Sequence, residues 1–440
     1  MAPDSPPRPL DADLTTDVAI VGAGIAGVAT AFFILRSTAS RVLLIERDRV
    51  AHGATGRNAG QLTTYFERPL YDIAAEFGED AAIEGQRAFD GAHDLLDLLA
   101  AETGSSVRVE RFTGHMGMFS LNHLQVHLRN GLIRRRGGLR AESCLVSEDA
   151  EFLSGIPTEF ADLFEVVPQA RIRELLETDD DRYRAVLSDL KGCANAGLLV
   201  EQALGYLERT YADRFRYVDH TLVERVVVGD GRATIHARGH TVLASRVVLC
   251  TNGFTDHVLT DQAGTLLHLH ERQRVIGTIG FMAAFFESKP RTPAAMSYIR
   301  NTSIGGDTPY VYVTRRTYDR PHGAGRATLT AMGGPEWPIE GPWVHDAPFP
   351  GSLLATMDKE VRPFAQPARL AGLPYDFQWH GLMGYMAGRV RVIGAHPGHP
   401  ELLYNLGCNG VGFLPSIHGG RQVARLVAGE TLPPSIFDPR

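Results

Sequence analysis

The chain has 440 residues, with 44 Lys and Arg against 51 Asp and Glu and a formal net charge of −7. That length exceeds what one hydrophobic core usually serves, so two domains are expected. The acidic balance gives no electrostatic reason for nucleic acid or an anionic membrane as partner, and the triplet Arg134-Arg135-Arg136 reads as a solvated face.

Residues 1–13 carry Pro3, Pro6, Pro7 and Pro9 among polar neighbours, lack the apolar core of a signal peptide, and read as a short disordered lead-in. A β-branched strand, Asp17 to Val21, then runs into Gly22-Ala23-Gly24-Ile25-Ala26-Gly27 and an apolar helical stretch. In that context G-x-G-x-x-G is a dinucleotide-binding turn. Gly22 permits the tight turn, Gly24 lets the backbone approach a pyrophosphate, and Gly27 lets the helix pack on the strand, while the helix N-terminus offers N–H groups to the anion. A second strand, Arg41 to Glu46, ends on a carboxylate about twenty residues after the motif, where it can accept hydrogen bonds from a ribose hydroxyl. The following loop, His52 to Gln61, is rich in glycine and small polar residues whose amides can fold around an anion, and Arg57 adds a donor fork.

Gly22 to Gly27, Glu46-Arg47, and Gly53-Ala54-Thr55-Gly56-Arg57-Asn58-Ala59-Gly60 together resemble the D-amino-acid-oxidase-like family of FAD-dependent oxidoreductases, which includes glycine, sarcosine and γ-glutamylputrescine oxidases. The resemblance implies FAD rather than NAD, with this loop and Gln61 lying along the pyrophosphate and flavin. Some relatives attach FAD through a histidine of this loop or a cysteine of the substrate domain. Here Arg57 holds the aligned loop position and no cysteine lies between Cys250 and Cys408, so noncovalent FAD is expected.

Residues 72–103 have a helical texture, with Leu95, Leu96, Leu98 and Leu99 on an apolar stripe. Val107 to Leu121 alternates around Thr113-Gly114 as strands entering a second layer, and residues 122–185 read as mainly helical. A helix from Leu198 to Ala212 leads to Thr221 to Val228, a Gly229-Asp230-Gly231 hairpin turn, and Arg246 to Gly253. This order resembles the family's middle FAD segment, which implies that Val223 meets the adenine through its backbone and that Thr251, Asn252 and Gly253 approach the cofactor.

Residues 265–374 are expected to form a second sheet over the flavin. Period-two alternation puts Tyr310, Tyr312 and Thr314 on one face, with Val311, Val313 and Arg315 on the other. The run resembles the family's substrate-domain hairpin, where a tyrosine and basic residues line the pocket. Tyr312 is therefore the first candidate for a catalytic role, with Arg315, Arg300 and Arg274 as candidates for a carboxylate clamp. His268 and His270 alternate on a strand face without further ligands nearby, so no metal site is expected. Finally, Trp379 to Gly394, then Gly407 to Phe413 and a helix to Ala428, resemble the last FAD segment. This places Gly381, Gly410, Val411, Gly412 and Phe413 at the cofactor and the helix N-terminus at the flavin's pyrimidine carbonyls. The family's usual Asp and Leu-Pro pair before Ile393-Gly394 are replaced by Gly388-Arg389-Val390-Arg391-Val392, a departure that bears on the subfamily.

The fold expected is α/β: a discontinuous Rossmann-like FAD-binding domain (14–105, 186–262 and 375–440) and an α+β substrate domain with an antiparallel sheet (106–185 and 263–374). The activity implied is FAD-dependent oxidation of a primary or secondary amine or amino acid to an imine, with O2 as acceptor and H2O2 as product. The alternatives are a dehydrogenase of a hydroxy acid or amine with another acceptor, and a noncatalytic flavin-binding protein. The four scattered cysteines form no C-x-x-C pair and suit a reducing cytoplasm, and no run reaches the roughly 18 apolar residues of a membrane span.

Overall fold

The structure, a computed structural model, describes residues 6–300, 310–320, 325–339, 343–344, 347–348, 351–360, 362–365 and 375–440. Their strands fall into two large sheets. At the centre of the first, Leu14–Val21 pairs in parallel with Val42–Ile45 on one side and with His240–Leu249 on the other. Phe215–Val218 extends the parallel set beyond Val42–Ile45. Val18 to Val21 and Val42 to Ile45 are buried throughout, as strands covered on both faces require.

His240–Leu249 divides its far edge between two partners. Its first half pairs antiparallel with Arg232–Ala237, and its last residues pair in parallel with His399–Leu406. The hairpin Val223–Gly229 to Arg232–Ala237 turns through Asp230 and Gly231, whose φ values of 50° and 72° are those a two-residue turn needs. The glycine-motif helix, Ile25–Ser37, lies against the C-terminal helix, Phe413–Val427. A Cβ at Gly420 would fall 2.8 Å from Thr30 N, so only glycine allows this approach of the two helices.

The second sheet runs in the order Phe377–Met386, Val275–Phe286, Arg326–Pro338, Tyr310–Asp319, Ala294–Ile299, Glu110–Met118, Ala185–Cys193, Ser143–Ser147, Glu165–Val167. It is mostly antiparallel, with parallel pairing between Ala294–Ile299 and Glu110–Met118 and between Ser143–Ser147 and Glu165–Val167. Its register matters for the site. Tyr312 stands opposite both Ser297 and Gly333, and Gly333 stands opposite Met282. One step along, Gly280 stands opposite both Glu336 and Gly381. Between Gly280 and Met282 the pairing shifts by one residue, a bulge that re-aims Glu336.

Three differences from the sequence reading have clear causes. Residues 6–13, expected to trail in a disordered lead-in, pack on the first sheet: Arg8 N donates to Asp219 Oδ1 at 2.7 Å, Leu10 N donates to Thr221 Oγ1 at 2.9 Å, and Leu10 is only 2% exposed. Residues 1–5 lie outside the described residues. In 122–185 the main helix ends at Arg136, and Ser143–Ser147 and Glu165–Val167 are strands, because β pairing, of the first to Ala185–Cys193 and of the second to the first, overrides a charged, mixed sequence. Gln61–Leu62, Ala185–Cys193 and Phe377–Met386 join the second sheet, whereas the sequence reading gave nearly all of them to the first domain. Among the described residues no helix is long and apolar enough to cross a membrane.

Candidate active site

A cavity of about 1870 Å³, its open mouth included, runs from the Gly22–Gly27 turn to the face of the second sheet. Most of the residues singled out from sequence line it: Gly22, Gly24, Ile25, Ala26, Glu46, Arg47, Thr55, Arg57, Asn58, Ala59 and Gln61 from the first segment. Val223, Thr251, Asn252, Gly381, Gly410, Val411, Gly412 and Phe413 join them from later segments. Gly27, Gly56, Gly60 and Gly253 do not line it. Cβ atoms at Gly27, Gly60 and Gly253 would fall 1.8, 2.2 and 2.4 Å from the backbone oxygens of Gly22, Ala194 and Met383, so these glycines let chain segments meet behind the cavity wall. Gly56 is exposed.

The nucleotide end is built from backbone groups held by buried side chains. Gly22 has φ +105°, and a Cβ there would meet Cys250 O at 2.6 Å. Ile25 N, at the start of the glycine-motif helix, donates to Thr55 Oγ1 at 2.9 Å, which fastens the 52–61 loop to that helix end. Asn58 ties the loop to itself: its Nδ2 donates to Thr55 O at 2.8 Å and its Oδ1 accepts from Gly60 N at 2.7 Å. Glu46 Oε2 accepts from Ala23 N at 2.7 Å and Oε1 from Asp48 N at 3.0 Å. Burial raises the Glu46 pKa, and those two N–H groups oppose the rise. Arg57 donates through Nε to His52 O and through Nη1 to His380 O, at 3.1 and 3.2 Å, and so bridges the loop to the second sheet. Asn252, at φ 51°, accepts on Oδ1 from Gly384 N and Cys408 N, both at 3.2 Å, clasping three segments of the wall.

Arg391 was not among the sequence candidates, yet it lines the cavity and is 4% exposed. Nε and Nη2 donate to Asn405 Oδ1 at 3.1 and 2.7 Å, Nη2 also to Asn405 O and Nη1 to Gly407 O, each at 3.2 Å. None of these acceptors is a carboxylate. Burial pulls its pKa down to about 10. Asn405 Nδ2 in turn donates to Ser416 O at 3.0 Å and Thr30 Oγ1 at 3.2 Å, so the residue that holds the guanidinium is itself tied to the glycine-motif and C-terminal helices. Two helix N-termini, a glycine turn with no room for a Cβ, and a buried cation without a carboxylate partner among the described residues fit a dinucleotide diphosphate.

At the other end the second sheet presents tyrosines and the carboxylate of Glu336. Tyr65, Tyr310, Tyr312, Met282, Ser297 and Glu336 line the cavity. Tyr310 Oη donates to Glu67 Oε1 at 2.6 Å, Tyr385 Oη to Glu336 Oε2 at 2.9 Å, and Tyr312 Oη to Met282 Sδ at 2.9 Å. Burial raises the pKa of Glu67 and pushes the phenols of Tyr65, Tyr310 and Tyr385 well above their usual value. Tyr65 had a signal in the sequence: Gln61, Thr63 and Tyr65 all line the cavity at strand spacing. Glu67, Glu336 and Tyr385 had none.

Of the four residues proposed for catalysis, only Tyr312 reaches the cavity. Arg315 is on the opposite strand face and 3% exposed, its guanidinium donating to Glu177 at 2.9 and 2.6 Å and to Thr292 O at 2.7 Å. That ion pair, not a substrate carboxylate, accounts for it. Arg274 is exposed after a short turn and Arg300 follows the strand Ala294–Ile299, and neither lines the cavity. Among the described residues no group of three or more His, Cys, Asp or Glu is placed to hold a metal ion.

The family described as DAO, FAD dependent oxidoreductase, matches residues 17–426. Gamma-glutamylputrescine oxidoreductase of Escherichia coli (strain K12) is 34% identical over 89 residues, 20% of this chain and 21% of that protein, so the chain spans about a fifth of the length of that curated relative. Two solved structures share the fold across nearly the whole chain. Glycine oxidase from Geobacillus kaustophilus superposes with a TM-score of 0.66 at 16% identity, covering 95% of this chain and 96% of that one. L-proline dehydrogenase from P. horikoshii gives 0.67 at 15% identity, covering 95% of each.

Proposed function

The chain belongs to the DAO family of FAD-dependent oxidoreductases, and from that premise we propose that it oxidises an amine or amino acid at the carbon bearing nitrogen, with O2 as the final acceptor. The observation that carries the reading is the single cavity that joins a diphosphate-binding end to a tyrosine–carboxylate end. When bound, FAD supplies the two-electron acceptor for the hydride equivalent leaving that carbon, and the substrate becomes an imine that water hydrolyses. The protein's own part is positioning and electrostatics. Gly410 to Phe413 bring the N-terminus of the C-terminal helix to the cavity wall, where its partial positive charge favours negative charge beside it. Tyr312, fixed by Met282 and by strands on both sides, orients the substrate over the cavity floor.

Noncovalent attachment of FAD is part of the proposal. Cys250 and Cys408 line the cavity, but burial raises both thiols, Cys250 to about 12, and keeps them in the protonated, poorly nucleophilic form. Mixing the yellow protein anaerobically with amines, amino acids and hydroxy acids, then admitting air and measuring peroxide, tests the reading. Bleaching by an amine or amino acid followed by peroxide supports it. Bleaching without peroxide replaces O2 by another acceptor, and bleaching by hydroxy acids alone removes the C–N reading.

A further inference from the structure

We infer that Tyr310 and Glu67 carry the ammonium proton of the substrate out of the cavity into a second pocket behind its wall, an inference that rests on the C–N-oxidising reading above. A protonated amine cannot lose a hydride from its carbon, because the nitrogen lone pair must become the second bond of the imine. One N–H proton has to leave first, and a positioned acceptor speeds that departure. The tyrosine end of the cavity has such an acceptor one layer back. Tyr65 and Tyr310 line the cavity, and Glu67 does not. Glu67 instead lines a separate pocket of about 800 Å³, its open mouth included, together with Arg68, Asp72, Arg272 and Arg389. Tyr310 Oη donates to Glu67 Oε1 at 2.6 Å and so joins the two spaces through a single phenol. A Cβ at Gly410, which lines the cavity, would fall 3.4 Å from the same oxygen, so the carboxylate lies one side chain's depth behind the wall.

The proton count closes. The N–H proton passes to Tyr310 Oη as the phenol's own proton passes to Glu67, and the carbon's hydride goes to FAD as proposed above. Glu67 regains its charge by releasing the proton to solvent through the second pocket. Its surroundings suit a group that must take a proton and return it. Burial raises the Glu67 pKa, and Tyr310, Arg389, Tyr65 and Lys191 oppose the rise, so the carboxylate is more basic than an exposed one while two phenols and two cations favour its charge. Tyr312 and Tyr385 face it as neutral phenols, with Glu336 bonded to Tyr385. Lys191 Nζ, buried 5.9 Å from the Tyr65 ring centre, has no hydrogen-bond partner among the described residues, so it acts on Glu67 by charge and is not a link in the chain. In the second pocket Arg68 and Arg272 both pair with Glu76 at 2.6 Å.

Two measurements test this on the holoenzyme. Infrared titration of the oxidised protein reads the carboxyl without substrate: a protonated-carboxyl band missing from Glu67→Gln should titrate above the usual carboxylate range and shift as soon as the protein enters D2O. A band that titrates in the ordinary range, or that resists exchange, would overturn the inference. Anaerobic flavin reduction is then followed against pH with whichever of glycine, proline and n-pentylamine bleaches fastest. The wild-type limiting rate should fall as pH drops through the Glu67 pKa, since the acceptor is then already protonated. Lys191→Met, which removes a cation favouring the charged form, should move that fall to higher pH. Glu67→Gln should lower the rate about 100-fold at neutral pH, the scale of one general base, and the loss should shrink as alkaline pH delivers amine already free of its proton. Tyr310→Phe, which breaks the chain at the phenol and leaves Glu67 in place, should do the same and serves should Glu67→Gln not fold. Equal losses at every pH would show that both side chains merely brace the wall, and wild-type rates would remove them from the reaction; either result overturns the inference and leaves the C–N reading intact. Bleaching by hydroxy acids alone would remove that reading, and the inference with it.

Discussion

Arg391→Met removes a buried charge while keeping an apolar side chain in its place, and the structure sets the size of the effect in each state. Without cofactor the guanidinium has four hydrogen bonds, all to Asn405 and Gly407, and no carboxylate. Burying an uncompensated charge costs several kcal/mol, and neutral acceptors return only part of it. Methionine leaves Asn405 Oδ1 and two carbonyls short of a donor, a loss of comparable size, so the apoprotein should melt within a few degrees of wild type. With FAD bound the balance changes. On the proposed reading the diphosphate would supply the missing counter-charge, and losing a charge-assisted hydrogen bond to it would cost about 1.5–3 kcal/mol, or about 10- to 100-fold in Kd. Because a ligand stabilises by RT ln(1 + [L]/Kd), a Kd raised about 100-fold removes up to about 2.7 kcal/mol of the stabilisation that saturating FAD confers. The assay is a flavin-fluorescence titration of stripped protein together with melts at zero and saturating FAD. Arg391→Lys, which keeps the charge without the fork, should fall between wild type and Arg391→Met. An unchanged Kd with equal loss of Tm in both states would show that the guanidinium merely braces the Asn405–Gly407 turn and would refute the reasoning.

Gly27→Ala should abolish soluble, flavin-loaded protein, since its Cβ would fall 1.8 Å from Gly22 O; recovery of yellow protein with a wild-type melting curve would contradict that packing. Tyr312→Phe should keep the flavin spectrum and lower the rate of flavin reduction over substrate Kd by about 10-fold, the scale of one orienting contact; stopped-flow reduction reads it, and an unchanged ratio removes Tyr312 from the site. Acid precipitation should leave the yellow colour in the supernatant, and a yellow pellet would mean covalent attachment. His418, 7% exposed on the C-terminal helix, has its pKa lowered to about 4 by burial and by Arg391, Arg421 and Arg425. A lowered histidine pKa gives stability that is fully present above the unfolded value near 6.5 and is lost as pH falls towards about 4. His418→Gln should therefore remove up to about 3 kcal/mol of the acid-side loss in that window, seen as a flatter plot of denaturation free energy against pH. A variant that loses stability with the wild-type slope would show that His418 already charges in the fold.

The amino-acid sequence by itself determined the parts of this protein that depend on local backbone geometry. Gly22, Gly24 and Gly27 announce their turn because the strand before and the helix after lie within a few residues, and Asp230-Gly231 announces its hairpin for the same reason. Alternation alone set Tyr312 and Arg315 on opposite faces, which holds: one reaches the cavity and the other is bonded to Glu177. Which face carries the chemistry was decided only by tertiary structure. The three arginines offered for a clamp do not line the cavity: Arg315 finds its carboxylate 138 residues away, Arg274 stays exposed, and Arg300 follows the strand Ala294–Ile299 outside the lining. Glu67, Glu336 and Tyr385 become neighbours only when strands far apart in the chain pair in one register, with a bulge turning Glu336 inward. Arg391 reads as an ordinary surface residue in sequence, since charged side chains are mostly exposed. Its burial follows from the hairpin Val392–His396 to His399–Leu406 pairing with His240–Leu249, which sets Arg391 against Asn405 and Gly407 inside the fold, a placement that no local pattern encodes.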